Sequence, residues 1–514
     1  MHYASLYGAT LNSTGTAGIG FTSRALALTT KPETKLEVEI DMKHHNDDTV
    51  YTTFDSITGN VNITAPSTSR FDEVRITFEG STKTYVENLS PHSSKSRTTA
   101  LHTFLKLTMP VRESDYPQPP VVEAGKTHTF PFNFAVPAQL LPHACNHTCS
   151  TDHVHEAHLQ LPPSMGKIVD KDYVYDDMAP EMTKIKYAVK VRVIRQGDSD
   201  ENEMTLAEAA KTLRVIPRVA EAPPLSVTNE DDYVLSKTKS LRKGMFSGKL
   251  GKITVSSAQP RAIVLPAPSP ERAAPKTTVA TVDLRFDPHD AASDPPRLGG
   301  LTTKLKIASF FFVQTAEDFP TRSSMMFSME AARGVFKSTV PISSLCVEAV
   351  TWHKHTAPFR RNSDWSSCSS DCSESGPGDA QKPYYTATIL APINLPMKKR
   401  FLPTFHSCIA SRTYAIDMTL SIHTPGTGVP AYSVSLHVPV QIAADGNKTA
   451  LAELTAAEAA QELQEADEFF RPRVLSIPNE ERIGNSVLPG ALTDLPPSYE
   501  DYSLLATMVD PGRS

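Results

Sequence analysis

Hydrophobic and polar residues alternate along much of the first 442 residues of the chain. In the segment KIKYAVKVRVIR, hydrophobic residues occupy every second position and lysine or arginine fills most positions between them. Such alternation is typical of a β-strand that has one face in a core and the other in water. The pattern predicts further strands around KITVSS, VATVDLRF, KLKIASFFF, YAIDMTLSI and YSVSLHVPV.

The alternation also predicts which residues face a core. Few helical patterns interrupt these segments, and many short strands without alternating helices favour antiparallel β-sandwiches, so the predicted fold class is all-β. The predicted core-facing residues are Leu36, Val38, Ile40, Val74, Ile76, Phe78, Ile185, Tyr187, Val189, Val191, Val193, Tyr414, Ile416, Met418, Leu420, Ile422, Val434, Leu436, Val438 and Val440.

Length and composition predict more than one domain. The chain of 514 residues is longer than one hydrophobic core usually supports. Its 41 prolines, against 23 glycines, favour β-structure with proline-rich connections. Thr455 and Glu458 have capping-box spacing at the start of an alanine-rich and glutamate-rich segment. We expect a flexible N-terminus over 1–19, a first sandwich over 20–216, a linker over 217–232, a second sandwich over 233–445 with a disordered insertion at 353–382, a short helix over 446–471 and a disordered tail over 472–514.

Charge and cysteine usage favour a cytoplasmic protein. The 51 basic and 57 acidic residues give a net charge of -6, which offers no general attraction to nucleic acid. The amino terminus has neither a basic start nor an apolar core, so it does not resemble a secretory signal. Six cysteines scattered over a long chain favour free thiols in a reducing compartment.

Several segments resemble fungal alpha-arrestins. Residues 56–87, SITGNVNITAPSTSRFDEVRITFEGSTKTYVE, resemble the first hairpins of the arrestin amino-terminal domain. Residues 241–260, 281–288 and 401–442 resemble the carboxy-terminal arrestin domain, so the similarity spreads over most of residues 20–442. The resemblance implies two immunoglobulin-like sandwiches in tandem, joined by a short hinge.

The same resemblance implies an adaptor rather than an enzyme. Alpha-arrestins of this kind bind membrane transporters or receptors through the arrestin lobes and recruit HECT-class ubiquitin ligases through a Pro-Pro-x-Tyr motif. The resemblance therefore implies cargo ubiquitination and endocytosis, with transient localisation at the plasma membrane and endosomes. A retromer-like or ambient-pH-signalling scaffold without ligase recruitment is the alternative on the same fold.

The segment LPPSYEDY near the end of the chain predicts a WW-domain ligand. Consecutive prolines favour the polyproline II helix, which docks on an aromatic groove with little loss of chain entropy. Pro496 and Pro497 would stack in that groove, Tyr499 would enter a second pocket, and Ser498 would stay largely uncommitted.

Two further sets of residues are candidate contacts. In the segment EDYSLL, Glu500, Leu504 and Leu505 have the spacing of an acidic dileucine signal, and Tyr502 to Leu505 fit a tyrosine sorting pattern, so clathrin adaptors are candidate partners alongside covalently attached ubiquitin. A locally basic segment would suit acidic cargo tails or anionic lipids, or would be a solvated strand edge. Its basic residues are Lys237, Lys239, Arg242, Lys243, Lys249 and Lys252.

The run HACNHTCSTDHVHEAH, residues 143–158, is the strongest metal candidate in the sequence. His143, Cys145, His147 and Cys149 alternate, and Zn²⁺ accepts such ligands, but the paired spacings usual for zinc are missing. A surface loop with incidental histidines is the favoured interpretation, and neither a metal nor another cofactor is predicted. His155 and His158 are three apart and are expected in a loop or strand, so the helical zinc-protease signature is rejected.

Overall fold

Two β-sandwiches follow one another along the chain in this computed structural model. The structure describes residues 36–447 apart from 47, 88–96, 167, 171–172, 197–202, 228–231, 245–247, 269–273, 322–331, 356–382 and 425–430. Residues 36–216 are called the first lobe and residues 233–444 the second lobe. The expected all-β class and the two tandem sandwiches are confirmed.

The first lobe contains twelve strands and one short α-helix among its described residues. They are β1 (Glu37–Met42), β2 (Val50–Tyr51), β3 (Ser56–Thr64), β4 (Ser69–Arg70), β5 (Glu73–Glu87), β6 (Arg97–Met109), β7 (Val121–Val122), β8 (Thr127–Ala135), α1 (Asp152–His158), β9 (Ile168–Asp170), β10 (Tyr173–Tyr175), β11 (Thr183–Gln196) and β12 (Glu203–Val215), with short 3-10 helices at Glu113–Asp115 and Pro142–Ala144.

Two sheets of the first lobe enclose its core. One sheet has the order β1-β3-β8, and the other has the order β2-β12-β11-β5-β6. Every pairing in them is antiparallel except the parallel pair β2 and β12. In β11, Ile185, Tyr187, Val189, Val191 and Val193 are all buried, as the alternation predicts.

The second lobe has the same two-layer construction. Its strands are β13 (Ser236–Arg242), β14 (Lys249–Ser256), β15 (Ile263–Leu265), β16 (Thr278–Pro288), β17 (Arg297–Phe312), β18 (Arg333–Cys346), β19 (His353–His355), β20 (Tyr384–Ile393), β21 (Phe405–Ser407), β22 (Ala410–His423), β23 (Tyr432–Val440) and β24 (Ile442–Ala444). One sheet has the order β13-β14-β16-β20-β19; the other has the order β18-β17-β22-β21, with β23 also paired to β22.

The predicted core positions of the second lobe are confirmed. On β22, the side chains from Tyr414 to Ile422 at every second position are at most 2% exposed, and on β23 those from Val434 to Val440 are at most 4% exposed. In the first lobe, Leu36, Val74, Ile76 and Phe78 are buried, whereas Val38 and Ile40 pack against the core while partly exposed.

The expectation of a loop or strand around His155 and His158 is wrong. Residues Asp152–His158 form α1, whose amino end is capped by the Thr151 hydroxyl, which accepts a hydrogen bond from the Val154 amide at 3.3 Å. Threonine at such a position satisfies an amide that the helix itself leaves unpaired. The two histidines remain three residues apart, so the zinc-protease spacing is still missing.

Several predicted segments fall wholly or partly outside the described residues. His353–His355 form β19, so the first three residues of the predicted insertion belong to a strand, and 356–382 are outside the described range. The predicted flexible N-terminus, the helix over most of 446–471 and the tail over 472–514 also lie outside it. Within the described range, no helix is long and apolar enough to cross a bilayer.

Candidate functional site at the lobe interface

Each lobe inserts side chains into the hydrophobic core of the other lobe at their interface. Met178 of the first lobe belongs to the hydrophobic core of the second lobe. In return, Leu402, Phe405 and Ala410 of the second lobe belong to the hydrophobic core of the first. All four residues are buried, so separating the lobes would expose apolar surface from both cores, at a cost in free energy that scales with the area exposed.

Arg412 joins the lobes through polar contacts. Its side chain is fully buried on β22 of the second lobe. The guanidinium donates to the carbonyl oxygens of Asp177 and Met178 at 2.7 and 3.1 Å, across the lobe interface. It also donates to the Ser309 hydroxyl on β17, from Nε at 3.1 Å and from Nη2 at 3.0 Å. A buried arginine is tolerated only when its donors are satisfied in this way.

The Asp177 carboxylate shapes the backbone segment that Arg412 contacts. Its two oxygens accept hydrogen bonds from the amides of Ala179 and Gly166 at 3.0 and 2.9 Å. These bonds hold the turn that contains Met178, whose φ of 57° lies in the left-handed region that costs a non-glycine residue energy. The turn therefore presents two consecutive carbonyl groups to one guanidinium.

A second set of charges surrounds the same turn. Lys399 of the second lobe donates to the Asp176 carboxylate at 2.8 Å. On β12, burial lowers the pKa of Arg214 to about 10; the positive charge of Arg400 lowers it too, and the negative charges of Asp177 and Asp48 raise it. Residues 176–178 therefore contact cationic side chains of the second lobe, while the Asp177 carboxylate is hydrogen-bonded to backbone amides within the first lobe.

The histidine and cysteine run of residues 143–158 folds onto the second lobe. Cys145 Sγ lies 3.3 Å from His147 Nε2, 3.8 Å from Cys149 Sγ and 3.7 Å from His158 Nδ1. Cys408 of the second lobe joins them: the ligand atoms of Cys145, His147, His158 and Cys408 all lie within 4.8 Å of one another. The interpretation of this run as a loop with incidental histidines therefore misses a side-chain cluster.

The electrostatics of this cluster follow from its burial. Burial, followed by the electrostatic effects of His147, His155 and His102, lowers the pKa of His158 to about 4, so its imidazole is neutral at physiological pH. Burial raises the pKa of the Cys149 thiol to about 11, with the hydrogen bond and charge of Cys145 acting in the same direction. Burial also raises the pKa of the Cys408 thiol, with the charge of Cys145 as the next cause.

Sequence reasoning identified half of this cluster. The alternation of the run indicates Cys145 and His147 as candidate ligands, whereas the sequence predicts a loop or strand at His158 and gives no indication of Cys408. His143, the first residue of the alternating run, is exposed on a 3-10 helix. A short helix after Thr151 was the available signal for His158, but no spacing rule connects residue 158 to residue 408.

The six basic residues of the candidate patch lie on or beside one hairpin and differ in their contacts. Lys237 and Lys239 are paired with Val255 and Ile253, which face the core, and Lys239 donates to the Ser433 carbonyl at 3.1 Å. Lys243 forms an ion pair with Asp290 at 3.2 Å. The remaining three, Arg242, Lys249 and Lys252, are exposed on the hairpin of β13 and β14 at the edge of a sheet.

The Pro-Pro-x-Tyr residues Pro496, Pro497 and Tyr499 lie outside the described residues. The sorting patterns of residues 500–505 also lie there. The structure thus describes the body of the chain, and the assignments in its last segment stay predictions from the sequence.

Comparison with protein families supports the sequence resemblance for the first lobe. Residues 36–216 match the family model described as arrestin (or S-antigen), N-terminal domain. A comparison with curated proteins gave no match. The matched range ends one residue after β12, the last strand of the first lobe, and the second lobe repeats the same two-sheet construction. The match supports a trafficking adaptor in general, because arrestin-family proteins generally act as non-enzymatic adaptors. The chain is therefore arrestin-like and has an arrestin-type all-β sandwich fold.

Proposed function

We propose that the protein is an adaptor that links plasma-membrane transporters or receptors to a WW-domain HECT ubiquitin ligase and so promotes cargo ubiquitination and endocytosis. The observation that carries the proposal is the Pro-Pro-x-Tyr motif, Pro496 to Tyr499, in a chain whose residues 36–216 match an arrestin amino-terminal domain. The arrestin-type body holds the cargo, and the motif holds the ligase.

The motif supplies a contact that is weak when it acts alone. Pro496 and Pro497 stack on the aromatic groove of a WW domain, and the Tyr499 ring enters the neighbouring pocket with its hydroxyl hydrogen-bonded at the rim. A peptide contact of this size has a dissociation constant on the order of 1 µM, which corresponds to about 8 kcal/mol. The ligase can therefore be exchanged readily.

Tethering makes this weak contact effective. When one chain holds cargo and ligase together, the local concentration of ligase at the cargo rises toward about 1 mM without any new contact. That concentration is about a thousand times the dissociation constant of the motif. Ubiquitin transfer then follows from proximity, and the catalytic groups belong to the ligase.

The remaining partners follow from the same adaptor role. The protein works in the cytoplasm and visits the plasma membrane and endosomes with its cargo. Glu500, Tyr502, Leu504 and Leu505 provide a contact for clathrin adaptors, and ubiquitin becomes attached to the chain itself.

The proposal is tested with purified full-length protein and a purified WW-domain ligase. Replacing Pro497 and Tyr499 together with alanine removes both anchoring side chains and should weaken ligase binding by about 100-fold or more, since two hot-spot contacts are lost. Ser498→Ala is the matched control and should bind normally, because Ser498 occupies the variable position of the Pro-Pro-x-Tyr motif. Unfolding curves should be the same for all three proteins.

Two results would contradict the proposal. Ligase binding that survives the Pro497 and Tyr499 replacements would remove the motif from the contact. Cargo uptake in cells that survives the same replacements would instead favour the retromer-like or ambient-pH-signalling scaffold, in which the motif has no role.

A further inference from the structure

Four potential metal ligands from both lobes converge at the interface. Cys145 and His147 follow the 3-10 helix of the first lobe, His158 is the last residue of α1, and Cys408 lies in the turn between β21 and β22 of the second lobe. Their ligand atoms lie within 4.8 Å of one another although residues 158 and 408 are far apart in sequence. Only the tertiary fold brings this set together.

The shorter spacings of the ligand atoms match a tetrahedral metal ion, and the longer ones, up to 4.8 Å, would close by about 1 Å around the ion. Zn²⁺ with bonds of about 2.0–2.3 Å keeps its ligand atoms about 3.3–3.8 Å apart. Cys145 Sγ lies 3.3 Å from His147 Nε2 and 3.7 Å from His158 Nδ1. A disulfide would need two sulfur atoms about 2.05 Å apart, whereas Cys145 and Cys149 Sγ are separated by 3.8 Å.

Three of the four residues are buried and His147 is partly buried, so the polar atoms of the cluster have few hydrogen-bonding partners other than one another. Cys145, His158 and Cys408 are 5%, 2% and 1% exposed. Their neighbours are apolar, and Cys145 and Cys408 form a small hydrophobic cluster with Ala308, Phe310, Phe312, Ala316 and Ile409. Within the described part of the chain, the hydrogen-bonding contacts of the His158 ring are with the sulfur atoms of Cys145 and Cys149. A group of two thiols and two imidazoles placed in this way suits Zn²⁺ well.

The surrounding backbone holds the ligands in place without the ion. The His102 ring lies 3.0 Å from the Ala144 carbonyl, next to Cys145. The Cys408 carbonyl accepts the Ala316 amide at 2.7 Å, and the Ser150 amide donates across the interface to the Glu317 carbonyl at 2.9 Å. Supporting contacts of this kind fix ligand orientation in structural metal sites.

We propose that Cys145, His147, His158 and Cys408 bind one structural Zn²⁺ that ties the first lobe to the second. With four protein ligands the ion has no open position for substrate, so the site is structural rather than catalytic. Zinc displaces the thiol protons of Cys145 and Cys408 on binding, and both sulfurs then coordinate as thiolates. Cys149, which is partly exposed, stays a free thiol beside the site.

Zinc content measured on purified full-length protein tests the site. The wild-type protein, dialysed against metal-free buffer, should retain about one zinc per chain, and Co²⁺ in place of zinc should give the intense visible absorption of tetrahedral thiolate coordination. Cys408→Ser and His158→Gln should lose the metal. Cys346→Ser is the matched control, because Cys346 is an exposed thiol on β18, and it should retain the metal.

Chelation of the wild-type protein avoids dependence on how well the variants fold. Removing zinc should lower the melting temperature by about 5 °C or more, and adding zinc back should restore it, because binding free energy contributes to folding. The same treatment should leave the melting temperature of Cys408→Ser unchanged. WW-ligase binding should not change, so this result is independent of the proposed function.

Three outcomes would overturn the inference. Folded wild-type protein that binds neither zinc nor Co²⁺ on reconstitution would remove the site. A disulfide between Cys145 and Cys149, found by mass spectrometry of protein purified without reductant, would replace it. Loss of zinc in Cys149→Ser together with its retention in His147→Ala would show that His147 is not the fourth ligand.

Discussion

Replacing Arg412 with methionine tests whether the lobes are held together by one buried guanidinium. Methionine keeps much of the apolar stem and removes every donor. The carbonyl oxygens of Asp177 and Met178, which now accept at 2.7 and 3.1 Å, would then lose their buried partner, as would the Ser309 hydroxyl. Arg412→Lys keeps the charge but not the planar fork, so its effect should be intermediate.

The size of the effect follows from the number of acceptors left unpaired. A hydrogen bond to a charged group contributes about 1.5–3 kcal/mol, and each buried acceptor left without a partner costs about 1–3 kcal/mol. The variant no longer buries a charge, which offsets part of the loss, so we expect about 3–5 kcal/mol rather than the sum over all bonds. For lobes of this size the melting temperature should fall by about 6–20 °C.

Scanning calorimetry of the full-length protein measures the shift, and hydrogen exchange locates it. Amides of residues 176–180 and 405–412 should exchange faster in Arg412→Met, because both segments lie at the interface. The control is Arg285→Met on β16, where an exposed ion pair with Asp287 at 3.0 Å should contribute about 1 kcal/mol or less. Equal melting temperatures for the two variants would refute the reasoning.

Two further predictions concern exposed and half-buried charges. Changing Arg242, Lys249 and Lys252 to glutamate should weaken binding to anionic vesicles by about 100-fold or more, since each basic residue near a membrane contributes about 1 kcal/mol. Equal vesicle binding of the variant and the wild type in a sedimentation assay would show that the hairpin is only a solvated sheet edge. Burial raises the pKa of Asp417, but the hydrogen bond and charge of His437 and the charge of Lys306 lower it by more, so its pKa lies below the ordinary 3.8. The stabilisation is therefore present above pH 3.8 and lost as the pH falls through the lowered pKa, and the gap in unfolding free energy between wild type and Asp417→Asn should close over that range; a gap that stays constant in acid would contradict the pairing.

The strands could be predicted from the sequence because their signal is local. A residue two positions away along a strand faces the same side, so alternation alone assigned the core faces of β11, β22 and β23. The same rule applied two residues before Tyr414 places Arg412 on the core side of β22. An arginine in phase with a hydrophobic face was thus a readable sign of a buried polar contact.

The lobe interface could not be predicted because its signal is spread over the chain. Met178 enters the second core from a turn, and Cys408 meets His158 from a different lobe. Neither contact leaves a spacing in the sequence, unlike zinc sites whose ligands come in close pairs. The seven residues of α1 are also too few to show a helical period.

The interlocked lobes constrain how an adaptor of this kind could work. Met178 sits in one core while Leu402, Phe405 and Ala410 sit in the other, so a rotation of the lobes would have to withdraw buried side chains from both. Arg412 adds polar contacts that would be broken in the same movement. Cargo captured by such a body would not need to trigger a lobe movement for the ligase to act on it, because proximity alone raises the local ligase concentration. Under the proposed function, the body therefore serves as a stiff platform, and the regulation of ubiquitination falls to the contacts made by the motif at residues 496–499.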